Sequence, residues 1–145
     1  MQVAPVESIA HTIQLAVAPV FLLTGVSALL GVFANRLARI VDRARRLHDD
    51  HPDTNAPERR LVRDELTDLA ARARMVNLAI SLATAAAILV CLVIVLLFLT
   101  SLVTTPLSAV VPVLFIVAMQ ALISALAIFL REILVATSSL RIGPK

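Results

Sequence analysis

Tryptophan and tyrosine are absent from these 145 residues, and aromatic side chains make up only 3% of them. The interfacial belt of Trp and Tyr that fixes many membrane helices in depth is therefore excluded, so arginine has to take that role. Cysteine occurs once, at Cys91. No internal disulfide can form and nothing argues for an oxidising compartment; in the middle of an apolar run the thiol reads as small filler. Charge is missing too. There is no Asp, Glu, Lys or Arg between Glu7 and Arg36, and none between Arg74 and Arg131. Catalysis inside a membrane needs converging nucleophile, acid or metal groups. The uncharged stretches offer groups such as His11, Gln14, Asn77, Ser81, Thr84, Gln120 and Ser124, with no carboxylate among them. The expectation is a protein that is not an enzyme and uses no cofactor.

What is present is apolar mass: 59% of the residues are hydrophobic, far above ordinary globular usage. A hydrocarbon core of about 30 Å takes roughly 20 helical residues to cross, so the first uncharged stretch holds one span and the second is long enough for two. The expected fold is all-α, a single membrane domain with three transmembrane helices, the first two extended into an antiparallel helical hairpin. Its segments are span 1 over 9–34, the hairpin over 35–74, span 2 over 75–103, span 3 over 106–130 and a tail over 131–145. Residues 1–8 carry no basic group and the apolar run continues past Ala16-Val17-Ala18, so the first span is expected to stay in the mature chain and not to be cleaved as a signal peptide.

Nothing stops the first helix at the membrane surface. Residues 35–50 contain no Gly or Pro and keep the 3.6-residue period, which predicts one continuous helix projecting roughly 20 Å into water. Pro19 removes one backbone hydrogen bond on the way and is expected to kink it. "HPDTNAP" makes the turn, Asn55 and Glu58 form a capping pair, and Thr105 with Pro106 starts the third span. On the returning arm Val62, Leu66, Leu69, Ala73 and Val76 follow heptad spacing, a seam for the stripe of Leu37, Ile40, Ala44 and Leu47. Residues 36–74 hold ten of the thirteen basic residues, and the loop between spans 2 and 3 has none. By the positive-inside rule the hairpin and the C-terminus are cytoplasmic and the N-terminus lies outside.

Arg36, Arg39, Arg43 and Arg46 are spaced three, four and three, so they form a stripe on the projecting helix. Two readings fit. The cations hold the helix against anionic headgroups of the bilayer, at about 1 kcal/mol each, or they pair with Asp64, Glu65 and Asp68 of the returning arm, which would set register more than stability. Nucleic acid is not an expected partner, because eight acidic residues interrupt residues 36–74 and no aromatic side chain is interleaved to stack bases. His48 and His51 with their neighbouring aspartates have generic spacing, so a solvated turn is expected there and no metal site.

The stretches "IQLAVAPVFLLTG" (Ile13 to Gly25) and "NRLARIVDRARRL" (Asn35 to Leu47) resemble the signature of a bacterial membrane family catalogued as domain of unknown function two-seven-two-one. The similarity covers most of the chain, with the hairpin and later spans alike in layout more than in residues. The resemblance implies a small three-span protein of the bacterial inner membrane. It transfers no activity and no catalytic residue.

One face of the first span carries His11, Gln14, Ala18, Phe21, Gly25, Ala28, Val32 and Asn35, polar at its ends and small in its middle. Small residues let helices approach closely in lipid, and amides can bond across the contact. Ala118, Ala121 and Ala125 of the third span, beside Gln120 and Ser124, look like a matching surface, with Gln14 and Gln120 both in the outer half of the bilayer. Packing between spans of one chain is the plain reading of that face. A contact between subunits or a water-lined path are the sharper ones. His11, near the end of a span, reads as interface before proton relay. The expected function is an interaction or structural subunit that binds copies of itself or another membrane protein. The alternative is an oligomeric channel or transport subunit lined by the His11–Asn35 face, although a conducting path usually carries charged or strongly polar rings.

Overall fold

The computed structural model describes residues 4–49, 56–102 and 109–140, and their side chains over 9–49, 59–100 and 109–136. The turn with Pro52, the Asn55 cap, the Thr105–Pro106 start, and the side chains of His51, Glu58, Arg141 and Lys145 lie outside those residues. Three helices account for nearly all of what is described: α1 (Ala4–Asp49), α2 (Ala56–Leu102) and α3 (Val110–Leu140). All three are long and apolar enough to cross a membrane. Helix α1 runs through Pro19 and on past Arg36 without interruption, as the lack of Gly or Pro after it requires.

Helix α3 continues past the expected end of its span. Residues 131–136 keep the register of the preceding turns, and no Gly or Pro occurs between Arg131 and Gly143, so the helix runs on to Leu140.

The chain divides into two compact units, one within Met1–Leu30 and Leu82–Ser124, the other within Gly31–Ser81 and Ala125–Lys145. The first is packed on small side chains. Thr12, Ala16 and Val26 of α1, Ala83, Ala86, Val90 and Val93 of α2, and Ala118 and Leu122 of α3 are all buried. With little hydrophobic drive between helices in lipid, close packing over alanine supplies much of the attraction. Three exposed hydroxyls of this unit are satisfied within their own helices: Thr24 donates to the Val20 carbonyl, Ser27 to Leu23 at 3.0 Å and Ser124 to Gln120 at 2.8 Å. Such back-bonding to the preceding turn lets a hydroxyl face lipid at little cost.

The second unit has a different core. Phe33 is fully buried against Phe129, their ring centroids 4.4 Å apart, close enough for aromatic attraction beyond area burial. Ile40, Leu69, Val76, Ala79, Ala125 and Ala136 complete its apolar part. Ile40 and Ala44 of α1 border one groove together with Leu66, Leu69 and Ala73 of α2. The heptad stripes read from the sequence therefore meet along that groove.

Candidate functional site

The second unit buries a carboxylate. Glu132 of α3 has a fully inaccessible side chain, and an ionised carboxylate in that setting needs paired cations and hydrogen bonds. Arg36 of α1 supplies both: its Nε donates to Glu132 Oε2 at 3.2 Å and its Nη2 to Oε1 at 3.3 Å, a bidentate fork. Arg72 of α2 approaches from another side, Nε 3.7 Å from Oε1. That is ion-pair distance but too long for a hydrogen bond, and the buried Arg72 Nε has no hydrogen-bond partner among the described residues. One carboxylate thus ties all three helices together where their uncharged stretches end.

Beside this cluster lies an open groove of about 470 Å³, lined by Arg36, Arg39, Arg43 and Arg72, by Glu65 and Asp68, and by the apolar Ile40, Leu69 and Ala136. Arg43 is held across it by Glu65, its Nη2 donating to Oε1 at 2.7 Å and its Nε to the same oxygen at 3.3 Å. Arg39 is exposed and forms no ion pair among the described residues. Arg46 projects from the same stripe but does not line the groove.

The arginine stripe therefore separates into members with different roles. Of the three acids expected opposite it, Glu65 pairs with Arg43, while Asp64 and Asp68 are exposed and form no ion pair among the described residues. Arg36 is turned to Glu132, which the sequence reading left out, as it did Arg72. A signal for Glu132 existed. Ala118, Leu122, Ala125, Phe129, Glu132 and Ala136 repeat at four and three, so the last acidic residue of the chain stands in register with the buried face of α3.

The intramembrane face falls elsewhere than packing within one chain would put it. His11, Gln14, Ala18, Gly25, Ala28 and Asn35 are all exposed, as are Gln120 and Ser124 of α3. The buried stripe of α1 passes through Thr12, Ala16 and Val26, on the far side of the helix from Gln14 and Ala28. The matching surface expected on α3 is also divided: Ala118 and Ala125 are fully buried, whereas Gln120 lies on the opposite, exposed side. The small residues Ala79, Ala83 and Ala86 of α2 and Ala118 and Ala125 of α3 are used inside the chain. Those of α1 at Ala18, Gly25 and Ala28 are not, and a Cβ placed on Gly25 would meet nothing within 4 Å.

Among the described residues no group of three or more His, Cys, Asp or Glu is placed to hold a metal ion. Against known proteins, the family described as protein of unknown function (DUF2721) matches over residues 16–142. No curated protein and no solved structure matches the chain.

Proposed function

The chain belongs to the DUF2721 family, and from that premise we propose that it is a membrane-embedded interaction subunit that assembles with copies of itself through the exposed face of α1 and the Gln120 side of α3. The observation that carries this is the exposure of Gln120. It stands eleven residues before Arg131 in the sequence, about 16 Å along a helix and so near the middle of a hydrocarbon core of about 30 Å. An amide turned to lipid at that depth gives up its hydrogen bonds, at a cost of roughly 2–7 kcal/mol depending on the reference state. A neighbouring chain removes that cost.

Gly25 supports the same contact. It stands eleven residues before Arg36, so on the same measure it shares the depth of Gln120, and its missing side chain leaves backbone carbonyl groups open to an amide from another copy. Gln14 lies nearer the outer edge by this measure, not level with Gln120. The same reading sets the chain in the bacterial inner membrane with the hairpin and C-terminus cytoplasmic, supported by the basic residues of 36–74.

Disulfide trapping in native membranes tests the assembly. With Cys91 replaced by Ser, an Ala28→Cys chain is expected to cross-link to a second copy under mild oxidant, whereas Ile88→Cys, exposed on α2, is expected to remain monomeric. Equal trapping at both positions would point to random collision and remove the proposed contact. A transport role for the same face is the second reading, supported by the exposure of His11, Gln14 and Asn35 together. It requires that Gln14→Leu change ion flux in reconstituted vesicles while the oligomer persists.

A further inference from the structure

The arginines around the groove differ in how far their charge is met. Arg43 is paired with Glu65, and Arg36 takes both oxygens of Glu132 in its fork. A single carboxylate cannot neutralise two cations, so Arg72, at 3.7 Å and without a hydrogen bond from its buried Nε, keeps an unmet charge. Arg39 is likewise without an ion pair among the described residues. Asp68 lines the same groove and opposes them in part, but it stands beyond ion-pair distance of either. Four arginines and two carboxylates border the space; counting Glu132, which pairs with Arg36 beside it, one positive charge remains in excess.

Guanidinium forks match the geometry of phosphate oxygens, and the location selects which phosphate. Arg36 is the first charged residue after the first uncharged stretch, and Arg72 and Arg74 are the last before the second. Arg39 and Arg43 follow about 5 and 10 Å further along the helix, spanning a headgroup layer that is about 5–8 Å deep on each side of the hydrocarbon. Ile40, Leu69 and Ala136 give the groove an apolar wall against which a glycerol backbone can lie. A zwitterionic headgroup would bring its own ammonium among the arginines and be repelled.

We propose that this groove holds the phosphate of one anionic phospholipid per chain, with Arg39 and Arg72 donating to it and Arg36 and Arg43 lining it. The site is separate from the assembly contact and does not depend on it. Native mass spectrometry of the full chain, released from nanodiscs of equal parts phosphatidylglycerol and phosphatidylcholine, provides the test. One phosphatidylglycerol is expected to remain on each chain, and millimolar inorganic phosphate is expected not to displace it. Arg39→Gln, at an exposed residue without an ion pair, leaves the fold in place and is expected to lower retention about tenfold, the weight of a charge-assisted hydrogen bond. Arg46→Gln removes the same charge from the same helix outside the groove and is expected to leave retention unchanged. Asp68→Asn is expected to raise it. Equal loss from Arg39→Gln and Arg46→Gln would reduce the effect to diffuse attraction, equal retention of phosphatidylcholine would remove the anionic selectivity, and displacement by inorganic phosphate would make it a site for a free anion. Any of the three overturns the proposal.

Discussion

Glu132 and Glu65 are both paired to arginine, and burial separates what they contribute. The Arg43–Glu65 pair has side chains 70% and 41% exposed, so water screens it and its worth is at most about 1 kcal/mol. Glu132 is 0% exposed against Arg36 at 36%, and removing its charge leaves two guanidiniums facing each other. Breaking a fully buried pair costs about 3–5 kcal/mol. Partial access of water to Arg36 and Arg72 lowers that here to about 2–3 kcal/mol. Thermal unfolding in detergent should therefore fall clearly for Glu132→Gln and hardly for Glu65→Gln; equal shifts would mean that the buried cluster does not hold the helices. At this scale the sequence was readable in part. The arginine stripe could be seen because its members recur at three and four within one helix. Its most important partner could not be paired from spacing, since Glu132 lies 96 positions from Arg36 and only the packing of α3 brings it there.

Among the elements, the helices were legible because their signals are long. Uncharged runs predict the spans, and the absence of Gly and Pro after Asn35 predicts that α1 leaves the apolar stretch unbroken. Helix α3 likewise runs on past Arg131 to Leu140, with the paired carboxylate of Glu132 in register with its buried face. The arms rest on the apolar stripes that border their shared groove. Leu69 is buried and Leu66 half-buried there, and each such leucine contributes roughly 1.5–3 kcal/mol when fully buried. Replacing both with Asp adds a desolvation cost and is predicted to open residues 36–74 to protease. Unchanged resistance would show that the arms are held in some other way.

For the whole molecule, the proposed orientation and assembly both have direct consequences. A cysteine at Asp53 should be labelled only from the cytoplasmic side and one at Ser108 only from outside, in a chain whose Cys91 has been replaced; the reverse would invert the placement of the hairpin. Assembly rests on what one chain leaves uncovered: Ala18, Gly25 and Ala28 of α1 and the amide of Gln120, all of them exposed. Gly25 makes the cleanest probe. Open space surrounds it, so Gly25→Leu can disturb a neighbouring chain without disturbing its own fold. The deciding measurement is the native mass of the complex extracted in mild detergent, for the unaltered chain and for Gly25→Leu. Assembly through this face predicts a multiple of the 15.5 kDa chain mass that shifts toward a single chain in the variant. A lone 15.5 kDa chain in the unaltered protein, or a multimer indifferent to Gly25→Leu, would contradict it.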